Sequence, residues 1–117
     1  METSNAVRSL AALAQASRLA VFRALVQAGP GGMTAGAIAR ETAVAPSALS
    51  FHLKELSHAG LVHAAPRGRF IDYAANFTAM NQLLAFLTEN CCGGAPCAPT
   101  AKSKTTVACV PKRKRKP

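Results

Sequence analysis

At 117 residues the chain has room for one small domain and a tail, and its 50% apolar content is ordinary for a globular fold. The formal charge is +9, but residues 91–117 hold seven Lys/Arg and no acid, whereas residues 1–90 hold seven against five. The polyanion-binding signal therefore rests mostly on the tail. No apolar run approaches the roughly 18 residues of a membrane span, and the polar start METSNAVRSL lacks the apolar segment of a secretory signal. The expectation is a cytoplasmic protein with no membrane partner and reduced cysteines.

Ser4 to Ala14 has a helical pattern, with Val7, Leu10, Ala11 and Ala14 on one face and alanines that allow close helix approach. Ser17 is the expected N-cap of a second helix that runs to Ala28, with Leu19, Phe22, Leu25 and Val26 apolar. Gly29-Pro30-Gly31-Gly32 ends it. Thr34 then caps a short helix to Thr42 that turns Ile38 and Ala39 inward, and Ala43-Val44-Ala45 forms a tight connection.

Ala45 to Leu61 follows, with Leu49, Leu53 and Leu56 at helical spacing. Pro46 suits the first turn, where its missing N–H costs nothing, and Gly60 suits a left-handed exit. Ser47, Ser50, Phe51, Lys54 and His58 share the opposite stripe. Small hydroxyls for base edges and a cation for phosphate are what a groove-entering helix needs. His52 lies on the flank of that stripe, placed either to touch phosphate or to support the turn; His58 and His63 read as surface or packing residues.

Leu61 to Ala75 favours two strands around an Arg67-Gly68-Arg69 tip, whose cations suit the minor groove or the DNA backbone. A helix-turn-helix followed by a basic-tipped hairpin predicts a winged helix-turn-helix. The expected fold is mainly α with a two-stranded wing, in the order ααααββα, and its partner is double-stranded DNA. Asn76 to Asn90 is the last helix, with Phe77, Met80, Leu83, Leu84 and Leu87 on its apolar side. So small a domain has a limited core of its own, which favours a dimer.

The expected boundary divides a folded domain, residues 1–90, from a basic tail, residues 91–117, with flexible backbone from about Pro96. The run Lys112 to Lys116 offers weak, salt-sensitive phosphate attraction. Cys91 and Cys92 stand at the end of the last helix, and Cys97 follows across a Gly93-Gly94-Ala95-Pro96 bridge. Three thiolates with no histidine or carboxylate between them suit a soft ion. Trivalent arsenic or antimony takes three sulfurs in a trigonal pyramid. Structural zinc takes four ligands, and Cys109 could supply the fourth, so zinc and cadmium stay open.

Together these residues resemble the ArsR/SmtB family of metal- and metalloid-responsive repressors. The carriers are Ala16-Ser17-Arg18-Leu19, the series Ser47, Ser50, His52, Leu53, Leu56, Gly60, Leu61 and Val62, and Gly68-Arg69 with Tyr73. The resemblance spans about Val7 to Glu89. It implies a homodimer closed by the first and last helices, through Val7, Leu10, Leu83, Leu84 and Leu87. The family often has histidine where Phe51 stands; a phenyl ring there could instead touch a thymine methyl.

The family's best-known arsenic site uses cysteines in the first helix of the helix-turn-helix, and Thr34 to Thr42 has none. Its common zinc site pairs Asp and His on the last helix, where Gln82, Ala85 and Phe86 offer no such ligands. The pattern resembles the arsenic-responsive branch whose three-cysteine site lies just past that helix. This implies a repressor released from its operator when arsenite, antimonite or methylarsenite binds Cys91, Cys92 and Cys97, with no organic cofactor. A thiol-redox or zinc/cadmium sensor of the same fold is the alternative. An enzyme is not expected, because Cys91 and Cys92 lie at the helix end that repels anions.

Overall fold

The computed structural model describes residues 1–94. Its elements are α1 (Thr3–Leu13), α2 (Ala16–Ala28), β1 (Met33–Thr34), α3 (Ala35–Thr42), α4 (Pro46–His58), β2 (Val62–Arg67), β3 (Phe70–Ala75), α5 (Phe77–Thr88) and a short 3-10 turn (Cys91–Gly94). They fall into two compact units: Met1–Phe86, and a second beginning at Leu87, of which residues 87–94 are described. Cys97, Cys109 and the expected flexible tail lie outside the described residues.

In the first unit the apolar positions of three helices meet. Val21, Phe22 and Leu25 of α2, Ile38 of α3 and Leu49, Leu53 and Leu56 of α4 form the interior with Leu61, Val62 and Ala75. All ten are at most 6% exposed. At about 25 cal/mol per Å² of apolar surface removed from water, this cluster is the main force holding the helix-turn-helix.

Local chemistry sets the element ends. Thr34 Oγ1 accepts from Ala37 N at 3.2 Å, the expected cap of α3. Gly60 exits α4 at φ +80°. The cap of α2, in contrast, is Gln15 and not Ser17: Gln15 Oε1 accepts from Arg18 N at 2.8 Å, and Ser17 lies inside the helix. Arg18 explains the shift, because its Nε also donates to Ala12 O at 2.7 Å and so ties α2 back to the end of α1.

The sheet has three strands in the order β1-β3-β2, one more than expected. The wing hairpin pairs Val62 with Ala75 through to Arg67 with Phe70. Gly68, at φ +62°, takes the first place of the two-residue turn, where hairpin geometry favours glycine. The added strand pairs Met33 with Tyr73 and Thr34 with Asp72. Two residues of this kind carry no alternation, so no period marked them as strand.

A polar hinge joins α4, the wing and α5. Asn76 Nδ2 donates to Gly60 O at 3.0 Å, and Asn76 Oδ1 accepts from Ala79 N at 3.1 Å, capping α5. Asn76 N also donates to Leu61 O at 2.8 Å. On α5, Leu83 is buried, at 6% exposed, within its own protomer. It also lines an apolar cleft between α2 and α5, with Leu19, Phe22 and Met80. Leu84 and Leu87 remain exposed.

Candidate nucleic-acid interface and cysteine pair

The turn between α3 and α4 is tight because Ala43 adopts the left-handed conformation, φ +58°, uncommon for a residue bearing a Cβ. Val44 packs against the core, and Pro46 opens α4. Ser47, Ser50, Phe51 and Lys54 then all project from the exposed side of α4, with Phe51 55% exposed. Ser50 Oγ donates to Pro46 O at 3.4 Å, a bond within its own helix.

His52 does not join this stripe. It is 9% exposed, in the same buried row as Leu49, Leu53 and Leu56. That burial weighs against the expected phosphate contact. Its Nδ1 is buried without a hydrogen-bond partner, and the ring meets Phe51 edge-on at 5.9 Å. The burial of this ring favours the second of its two expected roles, support of the turn. His58 and His63 are exposed.

The wing cations are not equivalent. Arg67 Nε donates to Asp72 Oδ2 at 2.7 Å and its Nη2 to Oδ1 at 3.2 Å. The register explains the pair: Phe70 stands opposite Arg67 and Asp72 diagonally from it, on the same face. The guanidinium carbon lies 5.9 Å from the Phe70 ring centroid. The hydrogen bond from Arg67 lowers the Asp72 pKa below its ordinary value, against a smaller opposing effect of desolvation. The same hydrogen bond, with the charge attraction, raises that of Arg67. Arg69 is exposed next to the turn glycine.

Behind the wing lies a cleft of about 420 Å³ between β3 and the β1–α3 segment. Arg69, Phe70, Ile71 and Tyr73 line one side, and Thr34, Gly36 and Arg40 the other. Neither Arg40 nor Asp72 was singled out from the sequence. Asp72 could have been found from the hairpin register; Arg40 carries no local signal.

In the second unit α5 ends at Thr88, before the cysteines, which lie on the 3-10 turn rather than on helix. Asn90 (φ +55°), Cys92 (φ +57°) and Gly93 (φ +65°) wind the chain left-handed. Gly93 N donates to Asn90 O at 2.9 Å, closing the turn. Cys91 Sγ and Cys92 Sγ are exposed and 3.8 Å apart, well beyond the length of a disulfide bond. Among the described residues no group of three His, Cys, Asp or Glu side chains converges.

A family model described as a helix-turn-helix domain matches residues 13–63. Among solved structures, the chain is 26% identical to an ArsR-like transcriptional regulator from Rhodococcus sp. RHA1, covering 78% of this chain and 82% of that one, with a TM-score of 0.66. It is 30% identical to NolR from Sinorhizobium fredii, over 74% and 83% of the two chains, with a TM-score of 0.60. The homodimeric winged helix-turn-helix DNA-binding domain Mb0332 from Mycobacterium bovis, a possible ArsR-family regulator, is 25% identical over 79% and 85%, with a TM-score of 0.59. No curated protein matches the chain. No single helix among the described residues is long and apolar enough to cross a membrane.

Proposed function

Because this chain belongs to the ArsR family of winged helix-turn-helix transcriptional regulators, we propose that it is an arsenic(III)-responsive repressor that binds operator DNA as a homodimer. It is a regulator and not an enzyme, in keeping with the relatives it matches. One observation carries the sensing half: the exposed sulfurs of Cys91 and Cys92 stand 3.8 Å apart. Two thiolates on one tetrahedral zinc, each ~2.3 Å from the metal, are separated by about the same distance. The pair is therefore spaced to share one thiophilic ion, and Cys97 is within chain reach as the third sulfur.

Arsenous acid exchanges its hydroxyls for the sulfurs of Cys91, Cys92 and Cys97. Each hydroxyl leaves as water with a thiol proton, three As–S bonds replace three As–O bonds, and no electron is transferred. On DNA, two α4 helices enter successive major grooves. Ser47, Ser50 and Phe51 approach bases and Lys54 approaches phosphate.

Dimerisation is supported by Val7, Leu10, Leu84 and Leu87, which are 42–58% exposed although apolar. An apolar cleft of about 310 Å³ between α2 and α5, lined by Leu19, Phe22, Val26, Met80 and Leu84, adds to that surface. The M. bovis relative is described as homodimeric. Ligand binding that lowers DNA affinity needs a coupling of only about 1–3 kcal/mol, and DNA must weaken arsenite binding by the same factor.

The test is fluorescence anisotropy of reduced protein on DNA from its own promoter region, titrated with arsenite, antimonite, methylarsenite, zinc and cadmium. Arsenite is expected to release the wild type and Cys109→Ser, and to fail with Cys91→Ser, Cys92→Ser or Cys97→Ser. Equal DNA affinity with and without trivalent arsenicals would overturn the sensing reading. Release by zinc or cadmium that depends on Cys109 would replace it with a four-thiol metal site, and release by peroxide alone with a redox switch.

A further inference from the structure

We propose that Arg40 and Arg69 form a two-guanidinium cradle for a DNA backbone phosphate in the cleft behind the wing, and that Asp72 withholds Arg67 from the duplex. The inference rests on the DNA-binding reading and adds to it a phosphate site and the residue that restricts the wing's charge.

Three observations converge on it. Arg40 and Arg69 line one cleft of about 420 Å³, although they are far apart in sequence and on different elements. Both residues are exposed, and among the described residues neither takes part in an ion pair. The cleft contains no carboxylate: its other lining residues are Thr34, Ala35, Gly36, Phe70, Ile71 and Tyr73. Two unneutralised guanidinium groups around a concavity, with a hydroxyl and no acid, suit a tetrahedral anion, since each guanidinium presents a fork of donors. Gly36 adds no side chain to the lining. The duplex is the natural source of the phosphate because Arg69 is at the tip of the wing in a winged helix-turn-helix, a fold that a similar homodimeric DNA-binding domain shares.

Arg67 is the contrasting case. Both of its bonded nitrogens are already committed to the two Asp72 oxygens, and its charge is balanced in place. A phosphate would have to displace that carboxylate before Arg67 could contribute. The wing thus has one operative cation, not two.

The ionic-strength dependence of DNA binding tests this directly. Full-length protein is titrated onto a mixed-sequence duplex long enough for one dimer, between about 50 mM and 200 mM salt. Each phosphate contact contributes about 0.9 to the slope of log K against log salt, so a dimer losing one contact per protomer loses about 1.8. The double variant Arg40→Gln, Arg69→Gln is expected to show that loss and each single variant a part of it, Arg67→Gln to keep the wild-type slope, and Asp72→Asn to steepen it. Arg40→Lys should keep the wild-type slope, since the contact needs charge at that place. Binding of the wild type with unchanged slopes in Arg40→Gln and Arg69→Gln would overturn the cradle and leave the DNA-binding reading standing. No binding by the wild type would overturn both. A calorimetric titration with inorganic phosphate at matched ionic strength should give no saturable binding. Saturable binding abolished by Arg40→Gln, with unchanged duplex slopes, would assign the cleft to free phosphate instead.

Discussion

Gly32 shows how one residue can set the position of a whole strand. It precedes β1 at φ +76°, and a Cβ built on it would overlap the Tyr73 carbonyl oxygen. Backbone meets backbone there, so no side-chain rotation can relieve the clash. Gly32→Ala should cost on the order of 2 kcal/mol, from the left-handed conformation and the displaced strand together. In thermal unfolding that is a drop of roughly 10 °C for a domain of this size. Gly31→Ala is the control: its site is open and its φ is ordinary, so stability should hold. His52 makes the opposite point. Its spacing places it with Leu49, Leu53 and Leu56 as readily as with the polar stripe, and only packing decided which. Residue type argued for the outside; the helix's inward rotation buried it.

At the scale of elements, the wing is a hairpin whose register creates its own ion pair. Asp72 is held below its ordinary carboxylate pKa by the Arg67 hydrogen bond. A carboxyl depressed in the folded state adds stability above its unfolded pKa of about 3.9 and loses it as pH falls through the folded value. The urea-unfolding difference between wild type and Asp72→Asn should therefore be constant from about pH 7 to pH 5 and shrink below about pH 4. A difference that instead grew on acidification would contradict the pairing. The helices α3 and α4 were legible from spacing, cap and turn residues because each of those signals acts within a few residues. The third strand was not legible, since β1 is two residues whose only reason to be extended is β3, some forty positions later in the chain.

Across the molecule, α1 has one face buried and another that is apolar yet exposed. Ala6 and Ser9 are buried against the chain's own fold, while Val7 and Leu10 point away from it, 58% and 42% exposed. In the proposed homodimer this exposed face is half of the interface. Val7→Glu with Leu10→Glu should leave the protomer folded, as judged by circular dichroism, yet move it from dimer to monomer in analytical ultracentrifugation. A double variant that stayed dimeric would place the interface elsewhere. DNA affinity should fall in parallel, because two α4 helices must be held one groove repeat apart.

The order of helices, the helix-turn-helix with its wing, the polar stripe of α4 and the vicinal cysteines were all set by the amino-acid sequence alone. Each is a local property: a period of 3.6, a capping hydroxyl, a glycine where φ turns positive, two thiols on adjacent residues. Tertiary structure decided the rest. It buried Leu83 and left Leu84 outside, turned His52 inward, consumed Arg67 in a pair with Asp72, and brought Arg40 and Arg69 to one cleft. The physical reason is the same in each case: periodicity marks which residues share a side of an element, whereas burial and charge pairing depend on what another element, distant in the chain, places against that side.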